Sequence, residues 1–225
     1  MGKKEVEIAG KKLVIHELED VCDPNTGRAL TGSWVWDSAL HLAKWIATQG
    51  LADFQLQSKT VLELGAGTGL PGLMAASLGA AHVFLTDIAP VLPGLRSSVE
   101  ANGFNDRVVE VRELVWGSDE PWVGEVDLVL MSDVFYDPLE MPELAKTLKR
   151  VCGRETRIWS ASEIRSQTGV CLEVLKGEGL EVVGEFPSSD SPLSTDDLEI
   201  TAEKSTFAVF VLAPPPNFPN RLTQD

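Results

Sequence analysis

The sequence is poor in cysteine, poor in basic residues and free of any long hydrophobic run, and each shortage excludes a class of protein. Its three cysteines among 225 residues, Cys22, Cys152 and Cys171, are widely spaced and form no Cys-x-x-Cys pair. That pattern supports neither a disulfide framework nor a zinc site, so no metal is expected. A reducing setting, cytoplasmic or also nuclear, is the expected location. Lys and Arg number 19 against 34 Asp and Glu, a net charge of −15. A field of that sign repels phosphate backbones and argues against a nucleic-acid partner, while it favours cationic ligands and basic protein surfaces. It also favours plain solubility. Part of the acidity is local, since 181–203 carries seven acidic residues and no Lys or Arg. No apolar stretch approaches the ~20 residues needed to span a bilayer, so no membrane partner is expected. The N-terminal lysines have no apolar segment behind them, unlike a signal peptide. Val6 stands where a myristoylation motif wants Ser or Thr.

What is present reads as an ordinary globular chain, 44% hydrophobic and 24% charged. Its length suits one large domain that buries a core without staples. The expected layout is a single domain over 1–225, with an N-terminal hairpin and loop (1–32), an α/β core (33–213) and an extended tail (214–225). Alternating residues predict a hairpin over 5–19, turning at Ala9-Gly10. Residues 20–32 read as a loop. Thr31 or Ser33 is then expected to cap a helix running to Gly50, with Val35, Ala39, Leu42 and Ile46 on one face.

From Lys59 onward apolar strands alternate with helices. Strands are predicted over 60–65, 82–87, 107–113, 126–132, 156–161, 180–187 and 206–212. Helices are predicted over 69–78, 90–102, 140–151 and 166–178. Nearly continuous apolar strands between helices imply a parallel sheet covered on both faces. No helix separates the last two strands, so an antiparallel strand is expected at one edge. No coiled-coil heptad or apolar edge is visible, and a monomer is the default.

The run Val61-Leu62-Glu63-Leu64-Gly65-Ala66-Gly67-Thr68-Gly69 joins a strand to a helix. Three glycines in five residues allow a sharp turn on which a ligand can lie directly. A dinucleotide loop wants its third glycine at 70, but position 70 is Leu and the third glycine is Gly69. The GxGxG pattern suits a ribose and an amino-acid moiety better than a pyrophosphate. Asp87, at the end of the next strand, can accept hydrogen bonds from both ribose hydroxyls; an NAD protein would show an acid there too.

Four blocks together resemble the seven-strand protein-lysine methyltransferases of methyltransferase family 16. They are Gly32-Ser33-Trp34-Val35-Trp36-Asp37, Val61 to Gly72, Leu114-Val115-Trp116-Gly117, and Ser132-Asp133-Val134-Phe135-Tyr136. The resemblance covers nearly the whole chain. It implies a Rossmann-like seven-strand methyltransferase sandwich, mostly parallel, with an antiparallel last strand. It also implies S-adenosyl-L-methionine as cofactor and a protein lysine as acceptor, on a substrate such as a chaperone or translation factor.

For the site, the resemblance implies that Trp36, Glu63, Gly65, Ala66, Gly67, Asp87, Trp116 and Ser132 hold the cofactor. Helical periodicity alone would instead put Trp36 in the core. Asp133 and Tyr136 match a D-x-x-Y motif and are expected to carry the chemistry, with Phe135 completing an aromatic wall. The amino-methyltransferases of nucleic acids have a Pro pair in this motif, which is missing here. Glu163 and Arg165 read as a surface ion pair, although the resemblance also allows charged residues here near the substrate mouth, and His16, His41 and His82 have no assigned role. Methyl transfer from a sulfonium needs positioning more than acid–base chemistry, so Asp133 is expected to aim a neutral amine. Three further readings stay open: a small-molecule methyltransferase of the same fold, an NAD-dependent oxidoreductase, and a non-enzymatic binding module.

Overall fold

The computed structural model describes residues 2–19, 21–22, 27, 29–122, 124–187 and 206–214. The chain opens with the expected hairpin, β1 (Gly2–Ile8) and β2 (Lys11–Glu17). Its turn residues Ala9 and Gly10 both have positive φ, 50° and 74°, the backbone hand that matches strand twist in a two-residue hairpin.

The first helix departs from expectation. Thr31–Ser33 forms only a short 3₁₀ turn, and α1 (Asp37–Trp45) starts after Trp36, which is extended at φ −94°, ψ 151°. Of the two predicted caps, Ser33 is engaged elsewhere. The Ser33 hydroxyl donates to the Leu30 carbonyl at 2.9 Å. The Val35 amide donates to a Glu17 carboxylate oxygen at 2.8 Å instead of joining a helix. α1 then runs through a π-helical turn at Ile46–Gly50 into the short α2 (Leu51–Asp53).

The core follows as β3 (Thr60–Leu64), α3 (Leu70–Ser77), β4 (His82–Asp87), α4 (Leu92–Ala101), β5 (Val109–Glu113), β6 (Leu128–Ser132), α5 (Met141–Val151), β7 (Arg157–Glu163), α6 (Ser166–Gly177), β8 (Glu181–Pro187) and β9 (Phe207–Ala213). The seven core strands lie in the order β5-β4-β3-β6-β7-β9-β8. β3 to β7 are mutually parallel, and β9 runs antiparallel to both β7 and β8. The reversed strand is the last in sequence, as expected, but it sits one place in from the edge, between β7 and β8. Residues 188–205 and 215–225, where a polar loop and most of an extended tail were expected, lie outside the described residues.

Strand alternation divides the core between the two faces. Val61, Leu128 and Leu130 pack with Leu42, Leu73 and Leu95 of α1, α3 and α4, together with Leu13 and Ile15 of the hairpin. Leu62, Leu64, Val129 and Met131 pack with Leu144, Leu148 and Leu175 of α5 and α6. Both clusters are nearly water-free, which explains why β3 and β6 read as continuous apolar runs.

Asn102, just after α4, fastens the hairpin to this frame. Its side chain accepts from the Val14 amide at 2.9 Å and donates to the carbonyls of Val14 (2.6 Å) and Ser98 (2.7 Å). Asn102→Ala should lower folding stability by about 1–3 kcal/mol, read as an earlier urea midpoint with an unchanged slope.

Candidate active site

The sheet order reverses between β3 and β6, and open α/β sheets bind ligands in the crevice at such a point, beyond the carboxyl ends of the strands. A cavity of about 680 Å³ lies there, within the size range of small-molecule sites. Its lining includes Gly65 to Thr68 after β3, Asp87 and Ile88 at the end of β4, and Ser132 to Val134 at the end of β6.

The glycine loop is fixed from two sides. Gly67 has φ +54°, and a Cβ there would strike the carbonyl oxygen of Gly32, so only glycine lets the 29–36 segment cross the loop this closely. The Gly67 amide donates to Asp87 Oδ2 at 2.7 Å, and the Ile88 amide donates to Asp87 Oδ1 at 2.8 Å. Burial raises the Asp87 pKa, while these two amides oppose the shift. Each carboxylate oxygen keeps a further lone pair for a ligand hydroxyl.

Glu63 is the one predicted cofactor contact that the structure places elsewhere. It is fully buried, does not line the cavity, and accepts from the Gly72 amide at 2.9 Å in the first turn of α3. The reason is strand parity: Leu62 and Leu64 face α5, so Glu63 between them faces α3. Burial pushes its pKa up to about 8, against the pull of the Gly72 amide, with the negative charge of Asp87 adding to the rise.

Three tryptophans wall the cavity. Trp36 is 38% exposed with its indole N–H on the Thr31 carbonyl at 3.0 Å, so it is not the core residue that helical periodicity suggested. Trp34, 44% exposed, also lines the cavity; it belongs to the Gly32–Asp37 block, where only Trp36 carries an expected role. Trp116 lies against the glycine loop, with its ring 3.2 Å from where a Cβ on Gly65 would lie.

At the far end Asp133 occupies a left-handed turn with φ +55°, its amide held by the Ala161 carbonyl at 2.9 Å. Backbone strain of this kind gathers at functional sites. The Ser38 hydroxyl donates to Asp133 Oδ1 at 3.3 Å, and Arg165 Nη1 lies 3.9 Å from the same oxygen. Arg165 also grips Glu163, with Nε donating to Oε2 at 2.6 Å. Its amide donates to Thr168 Oγ1, which in turn donates to the Glu163 carbonyl. The expected Glu163–Arg165 pair is therefore real, but Arg165 lines the cavity and belongs to the site. Burial raises the Asp133 pKa, Arg165 and Ser38 lower it, and Glu163 adds to the rise. Tyr136 lines the cavity with its pKa pushed up to about 12 by burial and by Glu140, Asp137 and Asp87, so it stays neutral. Phe135 is a correction: it is 2% exposed and packs edge-on against Phe210 in the core, forming no aromatic wall.

A family model described as lysine methyltransferase matches residues 21–171. The chain belongs to the lysine methyltransferase family.

Its relatives include EEF1A lysine methyltransferase 3 of Xenopus tropicalis, 39% identical over 60% of this chain and 59% of that protein. Protein N-lysine methyltransferase METTL21A of Xenopus tropicalis is 36% identical over 59% of this chain and 61% of that protein. Histone-arginine methyltransferase METTL23 of Xenopus laevis is 35% identical over 60% and 58%. The chain thus matches about three-fifths of the length of these relatives. Among solved structures, a SAM-dependent methyltransferase from Aquifex aeolicus has a TM-score of 0.54 at 19% identity, covering 73% of this chain and 88% of its own. Magnesium protoporphyrin IX methyltransferase from Synechocystis with bound SAM has a TM-score of 0.56 at 14% identity, covering 79% and 78%. These likenesses show the fold.

The residues of this family member fit S-adenosylmethionine. The Gly65–Gly67 loop lines the cavity with little side chain, Asp87 offers two carboxylate oxygens beside it, and Trp36 and Trp116 present aromatic surface. Among the described residues the charged lining of the cavity is Asp87, Asp133, Asp137 and Glu140 against Arg165, an acidic balance that suits a sulfonium and an incoming amine. Among the described residues no group of His, Cys, Asp and Glu is placed to hold a metal. Ser38 was missed, although it lies directly after the Trp36-Asp37 block; only the folded chain brings it to Asp133.

The buried Glu63 yields a pH test. Its native carboxyl keeps a proton up to about pH 8, whereas the unfolded one releases it near 4.5. Its contribution to stability therefore declines as pH rises through that window. Glu63→Gln, which mimics the protonated form, should flatten this decline. Thermal melts of the two proteins should agree near pH 5, and the variant should melt several degrees higher above pH 8.

Proposed function

We propose that the protein transfers a methyl group from S-adenosylmethionine to a lysine side chain of a protein substrate. The observation that carries this reading is Asp133, held on a strained turn in the same cavity as the glycine loop and Asp87. The family match and the two lysine-directed relatives support it.

Bound on the loop, S-adenosylmethionine supplies an electrophilic methyl group on a sulfonium. Gly67 and Asp87 would hold its adenosine, with aromatic surface from Trp36 and Trp116 and backbone from Ser132 at the carboxyl end of β6. The acceptor amine enters beside Asp133 and Tyr136. A free lysine has a pKa of about 10.4 and attacks only when neutral. A lone carboxylate would hold the ammonium form and raise that pKa. Arg165, 3.9 Å from Asp133 Oδ1, offsets the charge, so Asp133 accepts one N–H and aims the lone pair without trapping the cation. Neutral Tyr136 serves as a polar aromatic wall, and solvent takes the released proton.

The arginine-directed relative raises a second acceptor. Arg165 disfavours it: a guanidinium does not lose its proton at working pH, and a second one at Asp133 would meet Arg165 with like charge. The relative named for EEF1A makes a translation factor the first protein substrate to test, with a chaperone as the alternative. The same proposal has the protein act as a monomer in a reducing compartment, cytoplasm or nucleus, a setting in keeping with Cys22, Cys152 and Cys171 forming no disulfide with one another.

Asp133→Ala should lower methyl transfer from labelled S-adenosylmethionine to purified EEF1A or lysate proteins by about 100-fold. Cofactor affinity should change by no more than about twofold. Full transfer by this variant at unchanged cofactor affinity would remove Asp133 from the mechanism.

A further inference from the structure

The Thr31–Trp36 segment over the glycine loop has little regular structure of its own. Besides its 3₁₀ turn and the bonds of the Ser33 hydroxyl and the Trp36 indole to the Leu30 and Thr31 carbonyls, its shape is held by the N-terminal hairpin. The Leu18 amide, one residue past β2, donates to the Ser33 carbonyl at 3.3 Å. The Val35 amide donates to Glu17 Oε1 at 2.8 Å, and Lys4 Nζ from the neighbouring strand holds that same oxygen at 2.9 Å. Glu17 ends β2 and Lys4 lies in β1, while the cavity residues Trp34 and Trp36 flank Val35 on either side. One carboxylate oxygen thus ties the hairpin to the short stretch that places two cavity tryptophans, and Gly32 of the same segment rests on Gly67.

We infer that Glu17 is a positioning residue for the cofactor pocket: by accepting the Val35 amide it fixes the strap that carries Trp34 and Trp36 over the glycine loop. Glu17 lies ahead of residues 21–171, the stretch matched by the family model, and does not line the cavity. Its effect on binding must pass through the strap. Lys4 does the converse job, holding the carboxylate at the strap. The inference rests on the reading of this cavity as the S-adenosylmethionine site.

The chemistry separates two substitutions. Glu17→Ala removes the acceptor and frees Val35. Glu17→Gln keeps a neutral oxygen acceptor for the amide and loses only the ion pair with Lys4. The probe is S-adenosylhomocysteine, titrated by calorimetry into the full chain, with a thermal melt of each protein without ligand. We expect Glu17→Ala to weaken binding about fivefold to tenfold and Glu17→Gln to stay within about twofold of the parent. In steady-state assays the loss should fall on the KM for S-adenosylmethionine and leave kcat nearly unchanged. Lys12→Ala, which breaks the exposed hairpin pair Lys12–Glu7, should bind as the parent does. Unchanged affinity in Glu17→Ala would overturn the inference. So would equal weakening in both Glu17 variants in step with their melting temperatures, because that marks a general stability effect. A parent protein that fails to bind S-adenosylhomocysteine would overturn the cofactor reading itself, and the inference with it.

Discussion

The hydrogen bond from the Gly67 amide to Asp87 is the junction on which the site depends. It ties the loop after β3 to the end of β4, and the segment before α1 rests on Gly67 from above. Three stretches far apart in sequence meet at one residue that has no side chain. The parallel pairing of β3 with β4 and β6 makes the meeting possible, because it brings all three strand ends to the same edge of the sheet. The fold itself is held by the two apolar clusters on either face of that sheet, so the cavity rim is free to carry polar and strained groups.

Charge is distributed unevenly around this junction. Among the described residues Asp87, Asp133, Asp137 and Glu140 line the cavity and Arg165 is the single base beside them. Burial holds Asp133 above its ordinary range, and Arg165 and Ser38 counter that rise. In the proposed mechanism Arg165 partly offsets the charge of this carboxylate, while Ser38 and the Ala161 carbonyl fix its position. Glu63, deeper in the frame, stiffens the start of α3 instead of touching ligand.

Much of this was legible in the sequence because it is local. Strand periodicity and glycine spacing placed the loop, Asp87 and Asp133 at strand ends, and the structure has them there. The unread parts are those set by distant contacts. Trp36 was placed on a helix face by its spacing, but Glu17 takes the Val35 amide and the helix starts only at Asp37. Arg165 reads as surface in sequence, and only the adjacency of β6 and β7 brings it to Asp133. Phe135 and Tyr136 look alike in the motif, yet the left-handed turn at Asp133 sends one into the core and the other to the cavity. The role of Glu63 was available from strand parity, since its neighbours Leu62 and Leu64 both face α5.

The central claim is that this cavity presents a methyl group to a neutral protein amine beside Asp133. It is tested most directly by incubating the protein with isotopically labelled S-adenosylmethionine and cell lysate, then locating the label by tandem mass spectrometry. The account predicts labelled methyl groups on lysine side chains of protein. Label on arginine, label confined to small molecules, or no transfer at all would contradict it.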